Sequence, residues 1–261
     1  MHIKSLHIYP IKGMSGTLME SVIPQERGFE NDRRYMLIDK DNKFISQRNH
    51  PKIATLQPTI SEEILTISQD SELLKIPLSQ YTEEVVVTTI FGKNVPATKV
   101  SNEVDTLFST VLGEKVSLVK MNISNVRQKE LINNNGITQL SFADGYPYLI
   151  VGTASLELLN SKLEEQISMN RFRPNIVIET EIPHIEDTWN TITIGKSKFK
   201  IIKPCARCPV VTVDQFLGIM KKEPLKTLAT YRKINNKVYF GANAISVIRN
   251  PIRDGDKVKV D

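Results

Sequence analysis

Only two cysteines occur in this chain of 261 residues, and its four histidines, His2, His7, His50 and His184, stand far apart. Two thiols cannot hold a four-cysteine iron–sulfur cluster, and they give a structural zinc site no second closely spaced pair of ligands. No G-x-G-x-x-G or G-x-x-x-x-G-K sequence is present, which removes the usual glycine loops for dinucleotides and nucleotide phosphates. No apolar run approaches the roughly 20 residues of a membrane-spanning helix, and the opening Met-His-Ile-Lys-Ser-Leu-His-Ile alternates like a strand instead of forming a signal-peptide core. With two cysteines and no export signal, the cytoplasm is the expected compartment. Aromatic residues make up 7% of the chain and no Lys/Arg-rich run occurs. The net charge of +5 therefore argues for a solvated basic surface or a basic pocket for an anion, against a dedicated nucleic-acid binder. Internal repeats, low-complexity tracts and Gly/Ser/Pro linkers are also missing. What remains, at 40% hydrophobic content, is a globular chain with room for two domains.

Both cysteines lie in Lys203-Pro204-Cys205-Ala206-Arg207-Cys208-Pro209-Val210-Val211-Thr212-Val213-Asp214. Apolar runs at 197–202 and 209–213 predict two strands with the thiols displayed on the connection between them. Lys203 and Arg207 flank Cys205, and Arg207 directly precedes Cys208; cations beside a thiol favour the thiolate, the form that binds metals and attacks electrophiles. A thioredoxin-like pair needs a helix after the first cysteine, and Pro209 with the β-branched run 210–213 argues against one. Two half-buried thiols that happen to be close, or one thiolate acting as a lone soft ligand or nucleophile, remain open.

Taken in order, Ile3, Leu6 and Ile8 read as a first strand ended by Pro10, and Lys12 falls where the chain opens into a loop through Gly13 and Gly16. Gly28 suits a tight turn. Asp39-Lys40-Asp41-Asn42 is a turn signal between predicted strands at 30–38 and 43–48. A turn centred on Lys40 and Asp41 puts Arg33 opposite Arg48. Facing arginines repel, and a sheet tolerates them best with an anion between; two side chains splayed into water at an open hairpin end is the plainer alternative. Short strands at 64–67, 73–76, 85–90 and 95–100 predict a barrel or sandwich, with no chemistry the residues name. Asn102 is the expected cap of a helix closed by Gly113, residues 116–121 resume as strand, and Thr153 caps a second helix. Asp144 is an acid in apolar surroundings, usually the mark of a turn or cap. In Arg171-Phe172-Arg173-Pro174-Asn175-Ile176-Val177-Ile178, strand alternation sends Arg171, Arg173 and Asn175 to one side. Two guanidiniums and an amide suit a phosphate and a heterocycle edge, although an ordinary solvated strand face alternates in the same way.

The segment Pro204-Cys205-Ala206-Arg207-Cys208 with Thr212-Val213-Asp214, together with Tyr9-Pro10-x-Lys12 and R-x-R-P-N at 171–175, resembles MOSC-domain proteins, in the branch that contains the mitochondrial amidoxime-reducing component and its bacterial relatives. The resemblance runs over nearly the whole chain, including 239–243 and 254–260. It implies a β-rich α+β fold, with a MOSC-type β-barrel core over 121–261, an N-terminal β-barrel-like domain over 1–120 and a few peripheral helices. It also implies a molybdenum cofactor, molybdopterin with Mo, whose metal takes Cys208 as its protein ligand at the catalytic centre. Lys12, Arg33, Arg48, Asp144, Arg171, Arg173, Asn175 and Arg207 are the positions it implies around the pterin and phosphate. The implied activity is reduction of amidoximes, hydroxylamines and N-hydroxylated bases. Some bacterial relatives carry a ferredoxin-like domain that this chain lacks, so electrons are expected from a separate donor, a ferredoxin, flavodoxin or cytochrome b5-like protein with its reductase. Nucleic acid and membrane partners are not expected. Two other readings stay open: a sulfur carrier with a persulfide on Cys208, and a non-catalytic barrel binding a small molecule or RNA. Gly13 stands where the family usually has serine, and Pro209 directly after Cys208 departs from the better-known members.

Overall fold

The computed structural model describes residues 1–69, 71–122, 127–131 and 136–261. Its main sheet has nine strands. Val258–Val260, Thr191–Ile194, Ser197–Arg207, Lys237–Ile248, Tyr148–Gly152, Ile176–Ile178, Ile3–Ile8 and Thr17–Met19 lie side by side, with Lys233–Ile234 paired onto Lys237–Ile248. Every residue of Tyr148–Gly152 is buried, as suits a central strand covered on both faces, and its partnership with Ile176–Ile178 is the parallel one in this sheet. At the other end of the chain, Ile3 and Leu6 are both buried although three apart. A bulge between Ile3 and Ser5 resets the alternation.

A second layer is built mainly from residues 11–121. Val85–Ile90, Lys93–Lys99, Val116–Met121, Tyr35–Asp39 and Ile11–Lys12 form a five-stranded sheet, and Ser71–Pro77, Ile64–Gln69 and Gln57–Ser61 a three-stranded one. Helix Asn102–Leu112 packs Val104 and Phe108 into the same core as Leu65, Ile67 and Leu118. Its cap is Ser101, one residue before the expected Asn102: the Ser101 hydroxyl accepts from Val104 N–H at 3.2 Å, and Gly113 closes the helix in the left-handed conformation. The second helix, Thr153–Asn160, begins at Thr153, but Gly152 holds the cap position. The fold is β-rich α+β, as implied. Hydrogen bonding among the described residues leaves each sheet open, so the barrel-like layers are not closed barrels. No helix among these residues is long and apolar enough to cross a membrane.

Three local expectations are corrected. Residues 209–212 are a 3-10 turn, Pro209–Thr212, where a strand was predicted; proline at its first position is preset for a helical turn, and this outweighs the β-branched run. After the 39–42 turn, the chain returns through a single bridge, Ile38 to Phe44, and a hydrogen bond from Ile45 N–H to Leu37 O, one residue out of the expected register. Arg33 stands outside the strand at φ 51, so it does not face Arg48 across a ladder. Finally, residues 169–172 are a 3-10 turn, Arg173 is left-handed at φ 57, and the strand starts only at Ile176. Strand alternation therefore does not govern Arg171, Arg173 and Asn175.

The core fixes one acid response. His184 lies 5.9 Å from the Tyr231 ring and 5.8 Å from that of Phe240, with neither ring nitrogen partnered among the described residues. Burial pushes its pKa down to about 4, and does the same to His7. The unfolded chain then takes up protons that the folded chain resists. Stability is full above about pH 6.5 and is lost as pH falls toward 4. Urea midpoints at about pH 7 and about pH 5 measure this loss. His184→Asn, which tolerates the local φ of 59, is expected to shrink it; an unchanged loss would count against His184 as a source.

Candidate functional site

The cysteine segment crosses the edge between the two layers. Strand Ser197–Arg207 carries register shifts between Ile201 and Lys203 and again between Pro204 and Ala206, against Lys237–Ile248. Such bulges re-aim side chains, and here they deliver Lys203, Cys205 and Arg207 to one cavity. Cys205 is thus in the strand, and Cys208 holds the cap position of the 3-10 turn that follows. Arg207 is the hinge of the arrangement. Its Nη1 donates to Cys205 Sγ at 3.2 Å and its Nη2 to Phe172 O at 2.6 Å, while Nε is buried without a partner among the described residues.

Opposite stands a stack organised on Tyr9. The Arg33 guanidinium carbon lies 4.5 Å from the Tyr9 ring centre and that of Arg173 lies 4.3 Å from it. Asp32, fully buried, accepts from Tyr9 N–H at 2.8 Å and from Arg33 Nη1 at 2.6 Å. The same Nη1 donates to Asn175 Oδ1 at 3.1 Å, Asn175 Nδ2 donates to His7 O at 3.2 Å, and Arg173 Nη1 donates to Met14 O at 2.5 Å. Both arginines hold left-handed backbone, at φ 51 and 57. Non-glycine residues persist there only when their surroundings over-determine them, as these contacts do. Lys12 Nζ donates to Phe142 O at 2.9 Å and pairs with Asp144. Arg127 Nη1 in turn ties down the Asp144 loop by donating to Ser141 O and Ala143 O at 2.9 and 2.7 Å.

Between these walls lies a cavity of about 570 Å³, of whose lining residues nine are Lys or Arg and one, Asp144, is an acid. Burial opposes the Asp144 charge, but Lys12, Arg33 and Arg48 outweigh it and hold the carboxyl below the usual carboxylate range. Burial lowers Arg173 to about 10, still a cation at neutral pH. Of these cations Arg48, Lys93 and Lys203 are exposed and the others buried or half-buried, and together they give the cavity a positive wall suited to an anion.

Of the positions implied from sequence, Lys12, Arg33, Arg48, Asp144, Arg173, Asn175, Arg207 and Cys208 line the cavity. Arg171 does not. Its Nη2 donates to Asp214 Oδ2 at 2.8 Å and its Nη1 to Thr212 O at 3.2 Å, so it clamps the turn after Cys208 instead of facing a ligand. Arg127, Lys129, Lys93 and Asn243 also line the cavity and were not anticipated. The one local signal was the spacing of Arg127 and Lys129, two apart on strand Arg127–Glu130 and hence on one face.

A thiol lining a cation-rich cavity, set between a β-rich N-terminal layer and the main sheet, is an arrangement chemically suited to a large anion beside a soft donor atom. Comparison with known proteins is specific. The MOSC N-terminal beta barrel domain model matches residues 1–115 and the MOSC domain model residues 138–259. Mitochondrial amidoxime reducing component 2 of Macaca fascicularis is 30% identical over 241 residues, 88% of this chain and 72% of that protein. Mitochondrial amidoxime-reducing component 1 of Mus musculus is 29% identical over 88% of this chain and 71% of its own. Molybdenum cofactor sulfurase of Oryza sativa subsp. japonica is 29% identical over 92% of this chain, which spans 32% of that protein. The chain belongs to the family of MOSC-domain proteins that carry a MOSC N-terminal beta barrel domain.

Proposed function

We propose that the cavity holds a molybdenum cofactor and that the protein reduces N-hydroxylated compounds, amidoximes and hydroxylamines among them, with electrons from a separate donor protein. The carrying observation is the pairing of Cys208 with the nine lining cations: a thiolate is a ligand for the metal, and the cations suit a pterin phosphate. The buried Arg207 Nε, without a partner among the described residues, is a donor left for such a group. Arg33, Arg173 and Asn175 would orient the pterin side, with Lys12, Arg48 and Arg207 supplying charge. When bound, the cofactor supplies two-electron oxygen-atom chemistry at its metal. Converting N–OH to N–H and water takes two electrons and two protons.

Molybdenum analysis of the wild type beside Cys208→Ser, both from a host that makes the cofactor, tests the assignment. Near-stoichiometric metal in the wild type and none in the folded variant is expected. A folded wild type without molybdenum would sink the reductase reading. The coverage of 92% of this chain by a sulfurase favours one second reading, Cys208 as a persulfide carrier, which mass spectrometry would show as a sulfur adduct on Cys208.

A further inference from the structure

Two aromatic rings line the cavity beside its cations, and the Arg48 guanidinium carbon lies 5.8 Å from the centre of one of them, Phe44. Phe44 follows the 39–42 turn, and Phe91 sits at the tip of the hairpin joining Val85–Ile90 to Lys93–Lys99. Their ring centres are 5.9 Å apart at an interplanar angle of 56°. Lys12 Nζ lies 5.1 Å from the Phe44 ring and 6.0 Å from the Phe91 ring. Both residues line the cavity that contains Cys208, and both line a second one outside it, of about 570 Å³. With Ser46 and Arg48, which also line both, the pair stands where the two cavities meet.

Phe91 is costly to keep in that place. It is 55% exposed and left-handed at φ 49, followed by Gly92 at φ 76. A two-residue turn with both residues left-handed strongly favours Asn-Gly, Asp-Gly or Gly-Gly. The turn at Asn235-Asn236, with φ 47 and 61, uses residues that suit it. The Glu62-Glu63 turn shares the backbone, but there both side chains run into solvent. Phe91 combines the strained backbone with a large apolar ring held beside Phe44, at the cost of conformational free energy and of exposed apolar surface. An observed outlier of this kind points to a use for the side chain.

We infer that Phe44 and Phe91 form a specificity-determining clamp that takes the flat face of an aryl or heteroaryl substituent, so that the substrates of this site are planar aromatic N-hydroxylated compounds in preference to alkyl ones. The inference rests on the reductase reading for the N-hydroxyl group alone. The clamp itself rests on the two rings, their spacing and their place where the two cavities meet. Ring centres held 5.9 Å apart and tilted leave faces and edges on which a third ring packs offset or edge-on.

Calorimetric binding of a phenyl-substituted amidoxime and of its methyl-substituted counterpart, to the loaded protein without any electron donor, tests this without turnover. Phe91→Asn introduces a residue that the turn favours, so the variant is expected to fold and to melt no lower than the wild type. It should weaken phenyl binding roughly 5- to 10-fold and methyl binding less than about twofold. Phe91→Leu, which keeps apolar bulk without the ring, should behave like Phe91→Asn toward the phenyl compound. Equal weakening of both compounds, no weakening of either, or no phenyl binding by the wild type would overturn the clamp. Phenyl-selective weakening in a protein that reduces neither compound would uphold the clamp and discard the reductase reading.

Discussion

Replacing Asp32 by alanine is expected to lower the unfolding free energy by about 3–5 kcal/mol, the usual cost of removing one partner from a buried ion pair. The carboxylate is fully buried and accepts from both Tyr9 N–H and Arg33 Nη1. Burial alone would lower the Arg33 pKa, yet the balance is a raised one because Asp32 outweighs it. Without Asp32, a cation is left in the wall of the cavity with a backbone donor unpaired beside it. Urea titration measures the loss. Asp32→Asn, which keeps the shape and one acceptor, should lose less than Asp32→Ala. If Asp32→Ala cost under about 1 kcal/mol, the stack on Tyr9 would not be organised by this carboxylate.

Arg171→Ala should cost about 2–3 kcal/mol, the loss of a charged donor from a buried site whose acceptor keeps its other partners. Its guanidinium is buried, donates to Thr212 O, and meets Asp214 at 2.8 Å. Asp214 also accepts from Phe216 N–H and Leu217 N–H, at 3.0 and 3.1 Å, and Lys221 lies 3.8 Å away, so its charge is spread over four partners. Burial opposes that charge, but the two backbone donors, Arg171 and Lys221 outweigh it and hold the Asp214 pKa low. The contribution is present above the unfolded carboxylate pKa of about 4 and is lost as pH falls below it. Arg171→Lys should not restore the wild-type midpoint, because an ammonium cannot span Thr212 O and Asp214 with a planar fork. Because the clamped turn directly follows Cys208, the proposed cofactor site predicts that Arg171→Ala releases molybdenum on dialysis faster than the wild type. Wild-type stability in Arg171→Ala would show that the turn is held by its own backbone bonds.

Arg171 shows where reading a sequence stops. Three polar residues at alternate positions invited one strand face, and Arg173 and Asn175 do reach the cavity, but through a 3-10 turn and a left-handed residue instead of a pleat. Alternation and the true path happen to agree on two of three. The cysteine motif was legible because its chemistry is carried by neighbours in sequence. Lys12 and Asp144 came from a resemblance, since they are 132 positions apart and meet only through the fold, while Arg33 was also singled out by a hairpin register that the structure does not keep. Arg127, Lys93 and Phe91 lacked even that aid. A hairpin tip names no chemistry until the backbone shows that its phenylalanine is left-handed and beside a cavity.

The placement of Ile3–Ile8 has a consequence for synthesis. This strand lies inside the main sheet, between Thr17–Met19 and Ile176–Ile178. A ribosome makes its partner more than 160 residues later, at about 5–20 residues per second. For that interval, seconds long, the first strand has one edge without its native neighbour and a row of apolar side chains exposed, the condition under which nascent chains need a holdase. Pairings of such sequence separation are slow to close. The Tyr9 stack, one step along the same segment, cannot form until residues 173–175 arrive, so the cavity is among the last parts of the molecule to take shape.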